Sequence, residues 1–99
     1  IGLELADSQI EATRMRIGMR RSELDYLMTS EANTIREYQE LVEDIDPEMV
    51  RISQLNYEAG TIGYLELLNA LDLSLSNYQI YAEAVRAYSR ARTLRTTLY

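Results

Sequence analysis

Asn56-Tyr57-Glu58-Ala59-Gly60-Thr61-Ile62-Gly63-Tyr64, continuing into Leu65-Glu66-Leu67-Leu68-Asn69-Ala70, separates two long stretches that each carry a helical apolar pattern. The stretch reads as the tip of a hairpin. Gly60 can close a helix in the left-handed conformation without the steric cost of a Cβ, and Thr61 is placed to accept a hydrogen bond from the free N–H groups of the next helix. Gly63 supplies a second permissive position. Taken alone, such a turn says only that two helices reverse direction, so its significance depends on what the flanking arms can do.

The chain has 99 residues, enough for one domain but too few for two helices to enclose a core of ordinary thickness. A hairpin of this size calls for neighbours. Cysteine, histidine, tryptophan, phenylalanine and lysine are absent, which removes disulfides, the usual zinc sites and the common pairing of a nucleophile with a base. No catalytic residues, metal ligands or cofactors are expected. The net charge of −6 argues against a nucleic-acid binder, because neutralising phosphates needs clustered basic side chains. Residues 1–58 carry 13 acids and 6 arginines and residues 59–99 carry 3 acids and 4 arginines, so the acidity belongs to the first arm. No apolar run reaches the ~20 residues a membrane-spanning helix needs, and the opening Ile1-Gly2-Leu3-Glu4 is not a signal peptide. The chain reads as a piece excised from a longer protein.

In the first arm, residues 3–58, every seventh residue from Leu3 gives Leu3, Ile10, Ile17, Leu24, Glu31, Tyr38, Ile45 and Ile52, a coiled-coil stripe interrupted only by Glu31. Companion positions strengthen along the arm from Ala6, Thr13 and Arg20 to Leu27, Leu41 and Leu55. Met28, Ile35, Val42 and Met49 widen the band beyond what one partner helix covers. Pro47 is expected to impose a kink or short break, with Asp46 capping the following helix and Ile45 packing against Val50. Because Ile45 and Ile52 keep the phase of Leu24, the two pieces are expected to stack as one rod. The acids Glu37, Glu40, Asp44 and Glu48 share a helical face and read as solvated. Arg14, Arg16, Arg20 and Arg21 read as ion-paired with Glu11, Glu23 and Asp25.

In the second arm, residues 64–98, Leu68, Leu71, Leu75, Tyr78, Ala82 and Val85 step by three and four and are expected to form the seam facing the first arm. Tyr81, Ala84, Ala87, Tyr88 and Ala91 form another band, suited to close approach of a further helix. The eight tyrosines read as interface residues, ring packed and hydroxyl wet. Arg86, Arg90, Arg92 and Arg95 suit the negative end of a helix. If residues equidistant from Gly60 face one another, Arg86 and Arg90 fall near Glu31 and Arg36. The fold class is all-α, a long antiparallel helical hairpin with a break near Pro47 and its tip at residues 59–63.

The string from Tyr57 to Leu71, with Tyr78, Ala82, Ala84 and Tyr88 after it, resembles the outer membrane efflux protein family, the TolC-type channels, and within it the channels of heavy-metal and related cation efflux. The likeness is clearest over residues 45–95. It implies a homotrimeric conduit in which this hairpin forms part of the periplasmic α-barrel of an outer-membrane channel. It also implies that the tip meets a periplasmic adaptor linked to an inner-membrane pump. Tyr57, Gly60, Thr61 and Ile62 fall at adaptor-facing tip positions, and Glu66 and Asn69 at entrance or gating positions. Ile62 stands where some members have a basic residue and Asn69 where they have an acid, which departs from the family's polar gating links. The alternatives are the coiled-coil hairpin of an adaptor and a free-standing helical interaction module; the isolated hairpin is also expected to self-associate.

Overall fold

Helix-forming residues run almost unbroken on either side of the tip, and the chain folds into two antiparallel arms. The computed structural model describes residues 2–97, with side-chain exposure from residue 6 onward; the side chain of Leu3 and residue 98 lie outside the described residues. The first arm comprises α1 (Gly2–Glu40), a π-helical turn (Leu41–Ile45) and α2 (Asp46–Glu58), and the second is α3 (Tyr64–Thr97). No strand occurs among the described residues. The molecule measures 83 × 20 × 15 Å. At ~1.5 Å per residue the first arm accounts for the full length, whereas the 34 residues of α3 span only about 51 Å. The arms are therefore unequal. Asp25 and Arg95, each 35 residues from Gly60, join across the arms through Arg95 Nε–H and Asp25 Oδ1 at 2.9 Å, as equidistance from the tip predicts at this level, although nearer the tip Asn77 is bonded to Asp46, three residues off that rule. Residues 6–16 lie beyond this level and are exposed all round, so Ile10 has no opposing arm among the described residues.

The break expected at Pro47 is a widened turn just before it. Proline at this position clashes with the carbonyl four residues back and cannot donate to it. The chain adapts by inserting one extra residue, so that the Asp46 N–H donates to the Leu41 carbonyl five residues back, and Asp46 keeps helical angles (φ −64°, ψ −44°). No new helix start is created, so Asp46 does not cap α2 as expected. The rod is continuous, as foreseen, but its phase is not. The covered stripe runs Ile17, Leu24, Glu31, Tyr38 and then Asp46 and Ser53, a step of eight across the π-turn in place of seven. Ile45 and Ile52, expected in the seam, are 47% and 45% exposed.

The second arm also turns a different face inward. Its covered positions include Leu67, Ala70, Ser74, Asn77, Tyr81, Ala84, Tyr88, Ala91 and Arg95, an unbroken alternation of threes and fours, flanked by half-buried Leu68, Ala82, Val85 and Ala87. The band expected to meet a further helix is thus the inner seam. The stripe expected to face the first arm lies one residue round the helix: its Leu68, Ala82 and Val85 are half-buried, whereas Leu71, Leu75 and Tyr78 are 41%, 55% and 55% exposed. Small residues explain the choice. Ala91 lets the arms approach closely at Leu24 and Ala84 does so nearer the tip, and these three are the buried apolar residues among the described residues. Arg90 lines an open groove with Glu23, Leu24, Leu27, Ala87 and Leu94, away from the expected Glu31 and Arg36.

Candidate partner-binding tip

α2 ends and α3 begins within five residues, and the backbone of the tip is fully determined by local bonds. Gly60 adopts φ +78°, the only positive φ among the described residues. Gly60 N–H donates to the Tyr57 carbonyl at 3.0 Å and Thr61 N–H to the Asn56 carbonyl at 2.8 Å, the paired bonds of a Schellman close. Ile62 N–H reaches the same Asn56 carbonyl at 3.4 Å. Gly63 needs no left-handed conformation. It stands immediately before α3, and its carbonyl accepts the Leu67 N–H at 3.2 Å. That position, which Thr61 was expected to serve, is the cap, so the Thr61 hydroxyl is two residues too early to act there.

Tyr57, Gly60 and Thr61 are exposed, and Ile62 is half-buried. The Tyr57 ring packs against Tyr64 across the turn, with centroids 6.1 Å apart and planes tilted by 52°. This separation and tilt fall within the favourable range for aromatic pairs. Tyr64 and Leu65 therefore join the site, although neither was singled out as a contact residue. The signal lay in the sequence, since a large apolar residue at the first turn of a helix, beside a closed tip, has little of its own chain to cover it. Leu65 is 74% exposed. The result is an aromatic and aliphatic cap on a turn closed by its own backbone bonds, suited to docking by surface complementarity.

Glu66 and Asn69 lie one turn apart on α3, both exposed. Neither is hydrogen-bonded to a side chain of the other arm, so the structure does not bring them together with the tip residues into one cluster. The polar link that does cross the arms near the tip is different. Asn77 Nδ2–H donates to Asp46 Oδ2 at 3.0 Å, and Asp46 is only 2% exposed. A carboxylate removed from water in this way depends on its partner for solvation. One turn away, Arg51 pairs with Glu48 on the solvent side, holding the Glu48 carboxyl below the usual range through the Arg51 hydrogen bond. No group of three or more potential metal-ligating side chains is gathered among the described residues.

Beyond the tip, helix geometry places exposed apolar residues on two opposite sides of the hairpin. Both arms are right-handed and run in opposite directions. Positions one residue before the seam in each arm therefore lie on the same side, and those one residue after lie on the other. The first side carries Leu27, Ile45, Ile52 and Leu55 of the first arm with Leu73, Ile80 and Leu94 of α3. The shared groove of Leu27, Ala87 and Leu94 shows this grouping directly. The other side carries Leu71, Leu75 and Tyr78. No helix is long and apolar enough to cross a membrane among the described residues. Comparison with family models, with curated proteins and with solved structures finds no match to any of them.

Proposed function

We propose that the chain is the periplasmic hairpin of the outer-membrane channel in a tripartite efflux system, forming part of an α-barrel wall and presenting its tip to an adaptor protein. The observation that carries the reading is the pair of exposed apolar stripes on opposite sides of one thin hairpin. A free-standing module would leave both in water, whereas a wall element covers each against a different neighbour. The tip string from Tyr57 to Leu71 supports the family assignment, and the Tyr57–Tyr64 pair with Leu65 and Ile62 gives the tip an apolar docking surface. In this reading the channel is a homotrimer in the outer membrane. It works with an adaptor and an inner-membrane pump, and acts by assembly and gated passage with no chemistry or cofactor of its own. Glu66 and Asn69 line the entrance, but with Asn69 uncharged and Ile62 apolar the gate closes by packing more than by ionic links.

The test uses the parent channel. Gly60 is a poor probe because φ +78° strains any L-residue there and confounds contact with conformation. Leu65→Glu leaves the backbone unaltered and charges the docking surface. Loss of efflux from cells, with trimer assembly retained by cross-linking and the adaptor no longer co-purifying, is the expected result. Full efflux with Leu65→Glu and with Tyr64→Ala would remove the tip from the mechanism.

A further inference from the structure

The segment between the π-turn and the tip satisfies two registers, and only one is occupied. The apolar heptad of the first arm runs through Leu24 and Tyr38 to Ile45 and Ile52, yet the extra residue of the π-turn turns these outward and seats Asp46 and Ser53 in the seam instead. The opposing surface is small and polar: Ala70, Ser74 and Asn77. Two things hold the observed setting: Pro47, whose ring clashes with the carbonyl four residues back in an unwidened helix, and the bond from Asn77 to Asp46, the long-range polar bond of this segment among the described residues. Against it stand Ile45, Ile52 and Leu55, large apolar side chains left about half exposed.

We propose that the π-turn is a register hinge. In the second setting Leu41–Ile45 relaxes to an α-helix and α2 rotates by about 100° about its axis, one residue of helix. Ile45, Ile52 and Leu55 then enter the seam and Asp46 swings to solvent. The arm lengthens by about 1.5 Å, so the tip advances and turns together with Tyr57. The Asp46–Asn77 pair is the latch, because it is the bond made in one setting and absent in the other. A buried polar pair that helps to select one register over another is a known use of such groups. The hinge belongs to this chain alone and does not depend on the efflux reading.

The chain has no cysteine, so paired cysteines report the setting. Ser53 and Ala70 lie one heptad nearer the tip than Asp46 and Asn77, and a Ser53→Cys/Ala70→Cys chain should oxidise quickly in the latched setting. An Ile52→Cys/Ala70→Cys chain should oxidise quickly only in the other. With the latch intact the first pair is expected to close faster, and Asp46→Ala or Asn77→Ala should move the ratio of the two rates by about tenfold or more toward the second pair. Replacing Ile52 weakens the apolar setting, so the cysteines do not create this shift. Deleting Glu43 removes the extra residue while keeping Asp46 and Ser53 in phase, and should make the ratio insensitive to Asn77→Ala. An unchanged ratio in both latch variants, with helix content intact by circular dichroism, overturns the hinge. So does loss of both cross-links, or a Glu43-deleted chain that still responds to Asn77→Ala.

Discussion

Replacing Gly60 by alanine isolates the energetics of the tip from its contacts. Gly60 sits at φ +78°, and a Cβ built there meets no atom within 4 Å, so the substitution introduces backbone strain and nothing else. A left-handed L-residue costs roughly 1–2 kcal/mol, offset by about 0.4–1 kcal/mol because alanine restricts the unfolded chain. The net loss is about 1 kcal/mol. For a chain of this size that lowers the melting temperature by roughly 4–8 °C. D-alanine, introduced by semisynthesis, accepts the same angle without strain and keeps the unfolded-state benefit, so it should raise stability by about 0.4–1 kcal/mol over glycine. Urea unfolding followed by far-UV circular dichroism, repeated over a dilution series to separate folding from association, gives both values. Equal stabilities for the L- and D-alanine proteins would refute the assignment of Gly60 to the left-handed close.

The alanines of the seam should be intolerant of bulk: Ala91→Leu, at a position 1% exposed, is expected to cost about 1–3 kcal/mol by the same unfolding assay, against little for Gln79→Leu at an exposed position of the same helix. Leu24→Ala should cost about 2–3 kcal/mol, the low end for a buried leucine because only one neighbouring helix covers it. Arg51→Gln should return the Glu48 carboxyl upward to the ordinary range in an NMR titration. Since the folded value is the lowered one, the pair's contribution is present above the ordinary carboxylate range and lost as pH falls through the lowered value. Both side chains are solvated, so the accompanying stability change should be barely measurable.

The hairpin, its tip and the continuity of the first arm were legible because helical period, glycine placement and the lone proline are local signals. The inner faces were not. Leu68, Leu71, Leu75 and Tyr78 outrank Ala70, Ser74, Asn77 and Tyr81 in apolarity, and apolarity is the quantity that periodicity reads. What selects the smaller stripe is the approach distance of the second arm over Ala84 and Ala91, together with the bond from Asn77 to Asp46. Both are pairwise properties that no single arm displays. The phase change had a visible cause in Pro47, but a proline announces a disturbed turn without saying whether the helix stops, kinks or takes in a residue. At the tip, Tyr57, Gly60, Thr61 and Ile62 were picked out with Tyr64 and Leu65 overlooked, because the ring contact spans the turn and becomes visible only when the turn closes.

The two apolar sides of the hairpin are not copies of each other, and this limits how the chain can satisfy them with its own kind. A two-fold dimer buries one side twice and leaves the other outside on both subunits. A head-to-tail contact, first side against second, covers both with a single kind of interface, and each copy added in that way offers a fresh unsatisfied side to the next. Growth stops only when the succession of copies bends round to meet its beginning. The small angle between the two sides, set residue by residue in the seam, thus decides between a closed ring and an open-ended sheet.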